Sequence, residues 1–246
     1  MIKGIIFDYG GTIDTDGVHW FELLRRAYGV FLCDMPEDVL LQAYIYAERT
    51  LGAEDVIKSE DNFSVTLRKK IELQFNYLIN NHGYTVNSVQ KNSIINYSID
   101  YVRENIEKNS AIVLSTLSEI YPMVIVSNFY GNLDSVLHEF GIDSYFSSVI
   151  ESSRVGIRKP DPAIFLMGVK ALKNIVDDII SEQILVIGDS FQKDIVPAWS
   201  IGCVTAWLKG VPFGNEPHNV FEPSYTISTL KELSSIKELF TDSNRI

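Results

Sequence analysis

The chain has 246 residues, 46% of them apolar and 22% charged, the proportions of a folded globular protein and not of a disordered or low-complexity segment. Lys plus Arg number 21 against 32 Asp plus Glu, a formal charge of −11. This balance disfavours nucleic-acid backbones and anionic membrane surfaces as partners. The two cysteines, Cys33 and Cys203, are far apart; they give no disulfide framework and read as inert thiols of a reducing compartment. No apolar run approaches the roughly 20 residues of a membrane span, and the N-terminus enters a strand pattern directly. The expectation is a cytoplasmic protein without a signal peptide or membrane segment; its oligomeric state is not legible.

In chain order, Gly4 to Phe7 form a short apolar run that stops at Asp8, followed by Tyr9-Gly10-Gly11-Thr12. A short buried strand ending in a carboxylate and a glycine turn is a site pattern of parallel sheets. From Trp20 to about Asn105 the rhythm changes to helical spacing: Trp20, Leu24, Ala27, Tyr28; Val39, Leu40, Ala43, Tyr44; Leu67, Ile71, Phe75, Leu78. Gly29, Gly52 and Gly83 are expected to separate about four helices with no strand among them. From Ala111 onward helices and short apolar strands alternate. Helix Ala111–Ile120 precedes strand Met123–Val126, and Leu133–Phe140 precedes Tyr145–Ile150. Pro162–Leu172 then precedes Ile184–Ile187, Ile195–Ile201 precedes Cys203–Leu208, and a strand at Tyr225–Ile227 precedes a helix Thr229–Phe240. Alternation of this kind predicts right-handed crossovers and a parallel sheet. The predicted fold is α/β: a Rossmann-like parallel sheet flanked by helices, residues 1–16 and 106–246, with a helical cap, 17–105, inserted after the first strand.

The strand ends carry the chemistry. Strand one ends in Asp8, the second in Ser127-Asn128, and the fourth in Gly188-Asp189-Ser190, with Asp194 five residues after Asp189; a loop after the third carries Arg158-Lys159-Pro160-Asp161-Pro162. In an open parallel sheet these ends converge on one crevice. A carboxylate can attack phosphorus, carboxylates such as Asp8 and Asp189 suit Mg²⁺, and a lysine, a hydroxyl and free amides at Gly10 and Gly11 can hold phosphoryl oxygens.

The order Asp-x-x-Gly-Thr, Ser-Asn, Lys-Pro-Asp-Pro and Gly-Asp-Ser-x-x-x-x-Asp resembles the haloacid dehalogenase-like hydrolase superfamily over the whole chain. The resemblance implies a Mg²⁺-dependent hydrolase of a small phosphorylated metabolite, working through an aspartyl-phosphate. It implies Asp8 as nucleophile and metal ligand, the Gly10 carbonyl and Asp189 as further ligands, and Asp194 as a supporting one. It implies Ser127 and Lys159 on the phosphoryl group, beside Gly11 and Asn128 in the same substrate-binding set.

One departure matters. Phosphatases of this superfamily carry a second Asp two residues after the nucleophile, to protonate the leaving group and activate water; here that position is Gly10. General acid–base help contributes ~10²–10⁴-fold, so turnover of alkyl phosphates is expected to be slow, with Asp16 or His19 as candidate replacements. The departure also leaves open a phosphometabolite-binding or regulatory protein without turnover. A third reading is a phosphonoacetaldehyde-hydrolase-like carbon–phosphorus hydrolase using Lys58, Lys69 or Lys70 as an imine-forming lysine. The retained Asp189 argues against dehalogenation. Asp161 and Pro162 are expected to start a helix, Asp14 and Asp16 to be solvated hinge residues, and Tyr44, Tyr46, Phe75 and Tyr77 to be packing. His82, His138 and His218 are expected at the surface.

Overall fold

A computed structural model describes residues 1–32, 35–53, 56–85, 87–211 and 221–240; Cys33 and His218 lie outside them. Six strands form one sheet in the order β3-β2-β1-β4-β5-β6: β1 Gly4–Phe7, β2 Met123–Ser127, β3 Ser148–Glu151, β4 Ile184–Gly188, β5 Val204–Leu208 and β6 Tyr225–Ile227. Every pairing is parallel. The central strands are apolar on both faces because helices cover both: Ile5 and Phe7 face one core, Ile6 the other. Phe7 pairs with Ile125 of β2 and Ile187 of β4. Strand order reverses on either side of β1, so its C-terminal end is the topological switch point where such sheets form a crevice.

Between β1 and β2 lie four helices, α1 Trp20–Phe31, α2 Glu37–Ala53, α3 Phe63–His82 and α4 Ser88–Asn105. Their apolar stripes meet: Leu24, Ala27, Leu40, Ala43, Leu67, Ile71, Phe75 and Leu78 are all buried. Asn62 caps α3, Asn87 caps α4, and Gly83 ends α3 at φ 67°. Gly29 and Gly52, by contrast, sit inside α1 and α2 instead of between helices; a Cβ at Gly29 would meet nothing, and packing of the apolar faces carries the helix through it.

The crossings to and from this helical layer are stitched together. The Asn105 amide donates to the carbonyls of Ile13 (3.3 Å) and Asp14 (3.1 Å), and the Ser110 hydroxyl to Ile13 (2.6 Å). The helical layer also reaches the sheet's own helix α6, Leu133–Glu139, where Ser64 Oγ donates to Glu139 (2.8 Å) and Ser135 to the Ser59 carbonyl (2.6 Å).

From Ala111 onward the expected alternation holds, with shifted boundaries. Helix α5 Ala111–Ser118 precedes β2; α7 Ser152–Val155 and α8 Ala163–Lys173 precede β4; α9 Val196–Ser200 precedes β5. Asp161 receives the Ala163 N–H at 2.9 Å, as a helix start requires. Tyr145 and Phe146 pack against the core ahead of β3 and do not join it. The expected final helix is two 3₁₀ segments, Leu230–Ser235 and Lys237–Leu239. Its buried residues, Leu230, Leu233, Ile236 and Leu239, recur every third position, the repeat of a 3₁₀ helix. Among the described residues no helix is long and apolar enough to cross a membrane.

Candidate active site

Asp8, Ser127 and Asp189 stand at the C-terminal ends of three adjacent strands, and the loop after α7 brings Lys159 to them. Asp8 Oδ1 accepts from Lys159 Nζ at 2.5 Å and from Ser127 Oγ at 3.0 Å. The same ammonium donates to Asp194 Oδ1 at 2.5 Å. Asp8, Ser127, Lys159 and Asp194 are all buried. Burial alone would lower the Lys159 pKa, but Asp194 and Asp8 more than offset it and hold the ammonium charged. Asn128 works on the backbone: its Oδ1 accepts from the Lys159 N–H (2.9 Å) and its amide donates to the Lys159 carbonyl (3.1 Å), fixing the lysine's stem.

Ligand atoms of Asp8, Asp189 and Asp194 lie within 4.8 Å of one another. Three carboxylates face a single ammonium, leaving uncompensated negative charge. Burial together with the neighbouring Asp194 and Asp8 raises Asp189 well above the usual carboxylate range, and burial pushes Asp194 up to about 6. An all-oxygen donor set with excess negative charge fits a hard divalent cation. Two glycines permit this crowding. Gly11 has φ +92°, and a Cβ there would overlap the Asp189 carboxylate; a Cβ at Gly188 would overlap Asp194.

Sequence reasoning missed three features. Thr12 is fully buried, accepts the Asp189 N–H at 3.0 Å and donates to Asp8 Oδ2 at 3.3 Å, tying the first and fourth strand ends together; its place in the Gly-Thr motif was the available signal. Asp14, expected to be solvated, is 1% exposed. Its Oδ1 accepts the Gly11 N–H (2.6 Å) and its Oδ2 the Trp20 indole N–H (2.7 Å), joining the glycine turn to α1. The Gly11 amide is thus engaged, not free as expected, because this carboxylate folds back over the turn. Burial pushes Asp14 up to about 7 against the pull of those bonds. The third feature is a wall of the cavity formed by Glu48, Lys70, Trp20, Tyr44 and Tyr130; here Tyr44 lines space as well as packs.

Gly10 has φ −78° and ψ 116°, ordinary backbone for any residue, and a Cβ there would meet nothing within 4 Å. Asp14, four residues further on, lines the same cavity with its carboxylate held on the Gly11 N–H. Asp16 is half-buried at φ 50° and accepts the Leu230 N–H (2.7 Å), an engagement away from the cavity wall. His19 does line the cavity. Its Nδ1 accepts the Phe21 N–H at the start of α1, and burial pushes its pKa down to about 4, so it is neutral at physiological pH. Of the three lysines, Lys69 pairs with Asp61 at 2.5 Å, Lys58 is exposed, and Lys70 lines the cavity. His82 and His138 are exposed, as expected, and Cys203 is a buried free thiol.

A parallel sheet with a carboxylate at the switch point, a lysine and hydroxyl on that carboxylate, and two further acids beside it is an arrangement suited to a hydrolase. The haloacid dehalogenase-like hydrolase model matches residues 2–202, and the chain belongs to that family. It is similar to the haloacid dehalogenase-like hydrolase domain-containing protein 3 of Danio rerio, 27% identical over 48% of this chain and 46% of the relative. It is also similar to the pyrimidine 5'-nucleotidase YjjG of Escherichia coli, 29% identical over 46% of this chain and 48% of the relative. The matches thus span about half the length of these curated relatives. The magnesium-bound structure of YfnB from Bacillus subtilis shares the fold, with a TM-score of 0.55, 19% identity and coverage of 96% of this chain and 98% of that one.

Proposed function

We propose that this hydrolase is a Mg²⁺-dependent phosphatase of a small phosphorylated metabolite, with Asp8 as nucleophile. The observation that supports it most is the position of Asp8, buried at the switch point between Ser127 and Lys159 and beside Asp189 and Asp194. Asp8, the Gly10 carbonyl, Asp189 and Asp194 would hold Mg²⁺, which when bound offsets phosphoryl charge. Ser127 and Lys159 move their hydrogen bonds from Asp8 to the phosphoryl oxygens as these arrive, with Asn128 keeping Lys159 in place. The Asp8 carboxylate forms a bond to phosphorus, and the bond from phosphorus to the leaving oxygen breaks with its electron pair on that oxygen. Water then attacks phosphorus, the bond from phosphorus to the Asp8 oxygen breaks with its electron pair on the carboxylate, and the water's proton passes to solvent, releasing phosphate and restoring Asp8.

The empty position beside Gly10 sets the rate. With no carboxyl there, the leaving oxygen departs as an anion or takes its proton from water, so acidic leaving groups are favoured over alkyl ones. Helices α1–α4, residues 17–105, act as a cap over the strand ends and exclude water. Lys70 does not suit imine chemistry: burial lowers its pKa, but Glu48 and Tyr44 more than restore it, and it stays charged.

A second reading draws on the same glycine. Halide departure needs no proton, so Gly10 would not slow carbon–halogen hydrolysis; the negative cluster around Asp189 opposes it. A screen of phosphorylated metabolites and haloacids with Mg²⁺, wild type beside Asp8→Asn, separates the readings. Phosphate release dependent on Asp8 supports the phosphatase; halide release alone supports the second; neither supports a binding protein.

A further inference from the structure

One stretch of the cavity wall is chemically unusual. Lys70, on α3, is 7% exposed. A buried ammonium needs partners for three donors. Lys70 Nζ lies 2.7 Å from Glu48 Oε1 and over the rings of Trp20 and Tyr130, 5.1 and 5.4 Å from their centroids. Glu48 Oε2 is occupied by the Tyr130 hydroxyl at 2.8 Å. Glu48 Oε1 takes one of the ammonium's three donors. Two N–H donors of the ammonium and a second lone pair of Glu48 Oε1 are left for a ligand, and both residues line the same cavity as Asp8.

Few chemical groups satisfy both. A second phosphate or a carboxylate would accept from Lys70 but be repelled by Glu48. An ammonium would meet Lys70, and a methylene would leave both groups unsatisfied. A hydroxyl accepts from Lys70 and donates to Glu48 Oε1 at once, and Trp20 and Tyr130 line the same cavity beside it. We propose that Lys70 and Glu48 form a hydroxyl-recognition subsite, and that the substrate is a phosphomonoester whose alcohol portion carries at least one further hydroxyl. The inference rests on the phosphatase reading for the role of Asp8, but the subsite is a statement about binding and stands apart from turnover.

The test uses matched pairs: glycerol phosphate against propyl phosphate, and ribose phosphate against pentyl phosphate. Losing a hydrogen bond to a charged group while its buried partners stay unpaired changes affinity by ~10- to 10²-fold. In at least one pair the wild type is expected to prefer the hydroxylated ester by that factor in kcat/KM, mostly through KM. Lys70→Met should bring the ratio toward one, and Glu48→Gln, which keeps one acceptor, should lower it less. Calorimetry with Asp8→Asn protein and the same esters reads the preference without turnover and covers the case in which Lys70→Met does not fold. Equal affinity for both members of both pairs overturns the subsite, whatever the turnover. A clear binding preference with no hydrolysis of any ester keeps the subsite and overturns the phosphatase reading. A wild-type preference unchanged in folded Lys70→Met overturns the assignment to this pair.

Discussion

Gly10→Asp places a carboxyl where the leaving group would need its proton, and the structure permits the change. The backbone at φ −78° and ψ 116° suits any residue, and a Cβ meets no atom within 4 Å, so replacing glycine there should shift stability by no more than about 1 kcal/mol, with the lost unfolded-state freedom working in the variant's favour. Asp8 and Asp189 nearby would raise the new carboxyl's pKa by like-charge repulsion, which keeps it protonated for the first step. General acid help of ~10²-fold, the low end of its range, is about 2.7 kcal/mol of barrier. It should act on alkyl phosphates, whose leaving oxygens are strongly basic, and hardly on aryl phosphates. Steady-state rates for matched aryl and alkyl phosphates, wild type and variant, measure this. The wild type is expected to favour the aryl ester strongly and the variant to narrow the gap from the alkyl side. Equal wild-type rates on both classes would refute the reasoning, because another group would then already be supplying the proton.

Asp8→Asn should abolish hydrolysis with the fold intact, since an amide is a poor nucleophile; circular dichroism and a turnover assay report on both. Thr12→Val leaves the Asp189 N–H without its acceptor; a loss of ~1–3 kcal/mol in denaturant unfolding and weaker Mg²⁺ binding by calorimetry are expected. Asp14 has its folded pKa raised from 3.8 to about 7. The folded state therefore holds a proton that the unfolded state has released, and Asp14 lowers stability as pH rises through that window. Unfolding free energies of wild type and Asp14→Asn should diverge in the variant's favour by up to ~4 kcal/mol between about pH 4 and about pH 7. A pH-independent difference would remove Asp14 from that role.

How far the sequence carried depends on which physical signal each feature leaves. The parallel sheet followed from alternation, because parallel strands buried on both faces read as short apolar runs and their crossovers have one hand; the strand order is seen only in the fold. The strand-end residues were legible for the same reason: the topology places Asp8, Ser127 and Asp189 together once the strands are known. The 3₁₀ nature of the C-terminal segment was written in the every-third spacing of Leu230, Leu233, Ile236 and Leu239, but that spacing also fits one face of a short helix. Asp14 was misjudged because an acid between two glycine turns usually marks solvated chain; only the fold shows Trp20 returning over it. The Lys70–Glu48 pair joins α3 to α2 across 22 positions, and no local pattern announces which lysine of a charged helix turns inward.

The central claim is that phosphoryl transfer passes through Asp8. The most direct measurement is rapid acid quench of the enzyme turning over an aryl phosphate with a radiolabelled phosphoryl group, followed by peptide mapping. Because Gly10 offers no base for the second step, protein-bound label should accumulate on the peptide containing Asp8, decay at the turnover rate and be absent from Asp8→Asn. Steady release of phosphate with no label on that peptide at any time would contradict the account.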